Sequence, residues 1–288
     1  MAILIAYLAA ILAAPPLLAY DGPVHQRLTF IAAQHFNRCV TDTAVPRLTP
    51  LQVRYIAKAN IAQAEPGFFR RVSRWNYYDR EAQDERNLLW FIETRMHEHY
   101  NTMVGRLDTP ENLGDHYSNL GRVVNYLQDV TSPAHVVPVF TNRWWRFSVG
   151  DKFDGFRVDE DAIEAAIGDA CDAIRIDDGD FQTLLRASAD STIEAVQGPI
   201  SGMPVSWEVF WELSDNEGSF GQYGAAGNSF GRQAEFRCTE DKRERCVLLE
   251  DDPLYVRFAV ERHVRAVRAT IAAMARTQHL ATGAVIAR

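Results

Sequence analysis

The sequence predicts an all-α fold, a single multi-helix domain behind a short apolar leader, and three observations carry that expectation. Apolar residues recur at intervals of three and four almost everywhere, as in Leu51, Tyr55, Ile56 and Ala59 or in Leu88, Leu89, Phe91, Ile92 and Met96, while strict alternation is rare. Thr49-Pro50 and Thr109-Pro110-Glu111 each read as a helix start, an N-cap followed by proline at the first helical position. A chain of 288 residues that is 47% hydrophobic and 24% charged can bury a full core, which argues against disorder.

Taken in chain order, residues 1–19 carry no charged side chain, and the apolar stretch Ala2 to Ala14 is too short to span a bilayer. It ends in Pro15-Pro16-Leu17-Leu18-Ala19 and meets the polar Asp21-Gly22, which reads as a signal peptide cleaved after Ala19. The mature domain then covers 20–288. The three-and-four spacing predicts helices over 24–38, 49–65, 67–79, 84–107, 110–130, 158–175, 179–197, 205–214 and 252–284. Residues 215–251, with Gly218, Gly221, Gly224, Gly227 and Gly231 followed by Cys238 and Cys246, read as an irregular insertion or lid. No strand precedes those glycines and no GK[ST] follows them, so they do not read as a phosphate loop.

Charge and cysteine usage narrow the class. Thirty basic against 38 acidic residues leave a net charge of −8, so there is no global positive field to hold a nucleic-acid duplex in a stable complex. Four cysteines behind a leader predict two disulfides and a secreted or periplasmic location. Of the three pairings open to them, the short Cys238 to Cys246 loop favours that bridge together with Cys39 to Cys171. No CxxC spacing suggests a zinc knuckle.

The segment Leu120 to His135, LGRVVNYLQDVTSPAH, is the most informative stretch. On a helix Asn125 and Asp129 are four apart and share a face, and Pro133 ends the helix so that His135 can turn back toward it. Asp129 would sit at the negative end of the helix dipole, an unfavourable place unless something positive, such as a metal ion, compensates it.

This segment resembles the signature L-G-x-x-x-H-Y-L-G-D-x-x-x-P-x-H of the secreted zinc-dependent phospholipase C and S1/P1 nuclease superfamily. In that family both histidines and the aspartate hold a cluster of three zinc ions. His25 opens the first helix five residues after Tyr20, which takes the place of the family's N-terminal residue, whose backbone amine and carbonyl bind one zinc. Trp75-Asn76-Tyr77-Tyr78-Asp79 resembles H-F-Y-D, with Asn76 at the ligand histidine, and Glu65 is the acid nearest the family's metal-binding aspartate and candidate general base. Phe140-Thr141-Asn142 resembles F-T-N. Val149 to Phe156 resembles G-F-H-S-K-[FY]-E-x-F, with Asp154 on the carboxylate ligand and Gly150 on a histidine.

The resemblance implies up to three Zn2+ held by Tyr20, His25, Glu65, Asn76, Asn125, Asp129, His135 and Asp154, with Glu65 as the catalytic base. Asn76, Asn125 and Gly150 stand where the family has histidines, and an amide oxygen suits harder ions than zinc, so fewer ions or another divalent metal are also expected. Asp151, His97 or His99 are candidate substitute ligands. His35, His116, His263 and His279 read as structural or surface residues, and Trp144-Trp145-Arg146-Phe147 as core or as a rim at the site mouth.

The implied function is hydrolysis of a phospholipid phosphodiester by metal-activated water at a transient membrane contact, favoured by the Y-L-x-D, F-T-N and K-F-D wording. The five-residue step from Tyr20 to His25 instead favours an S1/P1-like single-strand nuclease. A third reading, which the replaced histidines invite, is a metal-poor, non-catalytic binding protein.

Overall fold

A computed structural model describes residues 20–40, 45–64, 77–79, 96–109, 111–137, 139, 150–168, 171, 180–214, 221–238 and 244–286, the last seven by backbone alone. The leader 1–19, Glu65, Asn76, the Phe140-Thr141-Asn142 segment and the Trp144 to Phe147 cluster lie outside the described residues.

The molecule is mostly helical. Helix α1 (Gly22–Cys39) enters through Pro23 and buries Val24, His25, Leu28, Thr29, Ile31, Ala32, His35 and Phe36, one face in steps of three and four. Helix α2 (Pro50–Ala64) begins in a reciprocal capping box. Gln52 N–H donates to the Thr49 hydroxyl at 3.3 Å, and Thr49 N–H to Gln52 Oε1 at 2.7 Å.

Helix α3 (His97–Asp108) is followed by α4 (Leu113–Asp129), which starts later than Thr109-Pro110 suggests. Asn112, extended at φ −158°, takes the cap and accepts from Asp115 N–H, because a short amide side chain satisfies an open N–H of the first turn better than Thr109, which closes α3. The four-residue α5 (Pro133–Val136) follows the break at Pro133. Asp159 and Asp180 cap α6 (Glu160–Ile167) and α7 (Phe181–Gln197), and α6 ends far short of residue 175 because Gly168 turns out at φ +59°.

The expected helix over 205–214 is a bend holding only a 3-10 turn, Trp207–Val209. Bridges from Pro199 to Ser206 and from Glu212 to Gln222 fold that stretch back on itself. The segment read as an insertion or lid contains an antiparallel hairpin, β1 (Ala234–Arg237) and β2 (Arg245–Leu248), so the fold is not purely α. Its described part is anchored rather than loose. Phe230 and Phe236 are buried against Trp207, Phe210, Trp211 and Tyr255, and Gly231 at φ +78° lets the backbone approach the Phe156 ring where a Cβ would come within 2.7 Å. Both disulfides pair as the sequence suggests, Cys39–Cys171 and Cys238–Cys246, the second clasping the hairpin.

Helix α8 (Pro253–Ile286) runs 34 residues, about 50 Å, against α1, α4, α6 and α7. Its Ala259, Ala266, Val267, Ile271 and Met274 join one continuous cluster of buried apolar residues that runs from Tyr20 to Ala275. Among the described residues no helix is long and apolar enough to cross a membrane.

Candidate metal centre

The centre forms where α1, α2, α4 and α8 meet. Gly121 of α4 lies so close to α2 that a Cβ there would meet the Ile56 carbonyl and come within 2.9 Å of the Ala59 Cβ. That approach sets Asn60 of α2 beside Asn125 of α4. Asn125 Nδ2 donates to Asn60 Oδ1 at 3.1 Å, and Asn60 Nδ2 donates to Gln128 Oε1 and to the Thr29 hydroxyl, both at 2.9 Å.

These bonds fix the imidazole of His25. Gln128 Nε2 donates to the hydroxyls of Thr29 at 3.3 Å and Thr270 at 3.1 Å, and each hydroxyl spends its own proton on a helix carbonyl, so the Gln128 oxygen must face His25. It lies 2.6 Å from Nδ1. An amide oxygen only accepts, so Nδ1 carries the proton and Nε2 faces the other way. Nε2 meets Asp129 Oδ1 at 3.2 Å and receives Asn125 Nδ2–H at 3.2 Å. The one lone pair of Nε2 takes the Asn125 N–H while Asp129 Oδ1 lies beside it, and a cation between Nε2 and the carboxylate would take the place of that N–H. Two ligands on one tetrahedral Zn2+ with bonds near 2.05 Å stand about 3.3 Å apart, close to this separation. Asn125 Oδ1, fully buried, has no hydrogen-bond partner among the described residues, a further donor without an assigned role. The residues present therefore fit a divalent ion at His25 and Asp129 alone, because Asn125 turns its nitrogen rather than its oxygen toward Nε2.

The other expected residues have partners of their own. Ser132, just past α4, donates to Asp154 Oδ1 at 2.6 Å, and Asp21 N–H donates to the Asp154 carbonyl at 3.1 Å. Burial, and then the negative charge of Asp151, hold the Asp154 carboxyl well above the usual carboxylate range, with Asp129 and Asp21 adding to the effect. Asp151 is raised by burial too, but its oxygens accept from Trp211 Nε1 at 2.8 Å, Tyr223 O–H at 3.0 Å and Phe153 N–H at 2.8 Å. Those donors compete with any metal, so Asp151 braces its turn. Tyr20 is buried with its hydroxyl 3.2 Å from Thr131 Oγ1, and burial pushes its phenol far up, which leaves its backbone as the part suited to a ligand role.

His135 is half-buried, and its carbonyl accepts Tyr78 N–H at 2.7 Å. Residues 77–79 form an extended segment, not the end of a helix. His97 is committed there, with Nε2 2.9 Å from the Asp79 carbonyl and its ring 4.9 Å from that of Tyr78. Gly150 offers no side-chain donor.

Sequence reasoning missed Asn60, Gln128, Thr29 and Thr270. Their signal was polarity on apolar helix faces, Thr29 one turn after His25 and Gln128 three residues after Asn125. His35 also proved more than a lone residue. Among the described residues, the one set of three His, Cys, Asp or Glu side chains whose ligand atoms all lie within 4.8 Å is His35, Cys39 and Cys171, the last two in a disulfide.

A cleft of about 460 Å³ opens beside the acidic turn, lined by Asp21, Gly150, Asp151, Lys152, Arg157 and Arg232 among others. It is large enough for a small phosphodiester. No protein-family model, curated protein or solved structure matches the chain.

Proposed function

We infer that the protein is a secreted or periplasmic metal-dependent phosphodiesterase acting in the manner of a phospholipase C. The observation that carries this reading is the forced orientation of His25, whose Nε2 stands 3.2 Å from Asp129 Oδ1 and faces it as one ligand of an ion faces another. When bound, a divalent ion supplies Lewis-acid polarisation of the phosphoryl group and acidification of water. The chain's own residues do the rest. Gln128 holds the His25 ring, and Ser132 holds the Asp154 carboxyl group at 2.6 Å. In the adjoining cleft Lys152 and Arg232 offer cations to a phosphate among the acids Asp21, Asp151, Glu250 and Asp251, the last of which pairs with Arg157. Glu65 remains the proposed base. Two disulfides fit an oxidising compartment.

A second reading, a binding protein that uses the same cleft without turnover, draws on Gly150, which contributes no donor. The test is metal content by elemental mass spectrometry on the mature protein, followed by assays on phosphatidylcholine vesicles and on single-stranded DNA with Zn2+, Mn2+ or Mg2+. Bound metal and release of a phosphorylated headgroup support the phospholipase reading, and nucleotide release moves the assignment to a nuclease. Metal-free protein with neither product leaves the binding protein.

A further inference from the structure

Helix α1 carries a second group of metal-binding side chains at its other end, ten residues and about 15 Å along the axis from His25. His35 is 3% exposed, its Nε2 lies 3.5 Å from the Cys39 sulfur, and the Arg38 guanidinium stands 3.4 Å from its Nδ1. Cys39 closes the helix, and its disulfide partner Cys171 is exposed, so a soluble reductant can reach the bond.

From the 4.8 Å grouping of His35, Cys39 and Cys171 we propose a redox-gated site for a soft divalent ion such as Zn2+, closed while the disulfide stands and open once a dithiol reduces it. The dithiol gives up two electrons and two protons and becomes a cyclic disulfide, while the S–S bond breaks into two protein thiols. The incoming ion displaces both thiol protons to solvent and is held by two thiolates and the imidazole, with the fourth tetrahedral position open to water. One observation favours this over a plain structural bridge: His35 Nε2 already stands 3.5 Å from the Cys39 sulfur, so the third ligand is supplied without rearrangement of α1. Arg38 donates to Nδ1 and so leaves the neutral ring's proton on Nε2, and that proton moves to Nδ1 as Arg38 turns away and the ion takes Nε2. Nothing in the site depends on the His25 centre.

The test uses the full mature chain with Co2+ as probe, before and after reduction by a phosphine. The variant Cys238→Ser/Cys246→Ser removes the other disulfide from the readout. Reduction is expected to create sulfur-to-cobalt charge-transfer absorption for one Co2+ per chain, absent from the oxidised protein. His35→Ala should weaken that binding by roughly tenfold or more. Far-ultraviolet circular dichroism reports whether α1 survives reduction. The proposal is overturned by a reduced protein without the charge-transfer band, by the same band in the oxidised protein, by His35→Ala binding as tightly as its parent, or by loss of the helical signal on reduction.

Discussion

Gln128 accepts the Nδ1 proton of His25 at 2.6 Å, and this single contact decides which nitrogen of the imidazole can face Asp129. The amide cannot flip, because its nitrogen is held by Thr29 and Thr270. Gln128→Leu therefore releases the ring and leaves Asn60 short of one acceptor. Isothermal titration with Zn2+ should show affinity lower by about 10–100-fold. Thermal unfolding should show a loss of about 1–3 kcal/mol from the buried donors left open. Equal affinity in variant and parent would place the metal away from His25.

Asp129 supplies the charge that the same arrangement needs. Asp129→Asn keeps the shape and removes the negative charge, so elemental analysis should find less bound metal. Thermal stability in the presence of metal should drop with it, through linkage between binding and folding. The variant's melting temperature should then respond little to added Zn2+, while the parent's rises. A variant that keeps its metal would show that Asp129 pairs only with His25.

The helices at this centre were legible because their caps and apolar faces are local properties. Thr49 with Gln52 makes a capping box, and the buried residues of α1 fall in steps of three and four. The start of α4 was misplaced because Thr109-Pro110 and Asn112 both carry cap chemistry, and only the fold decides which of them turns the chain. The hairpin at 234–248 was illegible for a different reason. Its strands are four residues each, and Phe236 is buried against Phe210, which lies far upstream in sequence. At the centre, Asn125 and Asp129 announced themselves by spacing, whereas Asn60 and Gln128 gain meaning only when α2 and α4 close over Gly121.

That closure gives a paired prediction from one type of substitution. Gly121→Ala sets a methyl against the Ile56 backbone and the Ala59 side chain, so α2 must shift, at a cost of about 1–3 kcal/mol or more. Asn60 moves with it, and metal affinity should fall in step. Gly105→Ala, inside α3 with nothing within 4 Å of its new methyl, should instead stabilise by about 0.5–1 kcal/mol. Melting curves of the two variants should displace in opposite directions; a neutral Gly121→Ala would mean the helices are not in contact there.

His263 on α8 makes the stability of the whole domain sensitive to acid. It is fully buried between the rings of Tyr20 and Phe153, neither ring nitrogen has a hydrogen-bond partner among the described residues, and burial pushes its pKa down to about 3. The unfolded chain takes up a proton at this residue near pH 6.5, and the folded chain only near 3. Between those limits the unfolded state binds more protons. Stability from this residue is therefore complete above pH 6.5 and is lost as pH falls, by up to about 1.4 kcal/mol per unit. His263→Leu removes the titrating group and the two unsatisfied nitrogens. The variant should be more stable than its parent at neutral pH, and the gap should widen by about 2 kcal/mol on going to pH 5. Denaturant unfolding at a series of pH values checks this, and curves that stay parallel from pH 7 to 5 would show that His263 is reached by water or by a partner that lets it carry charge.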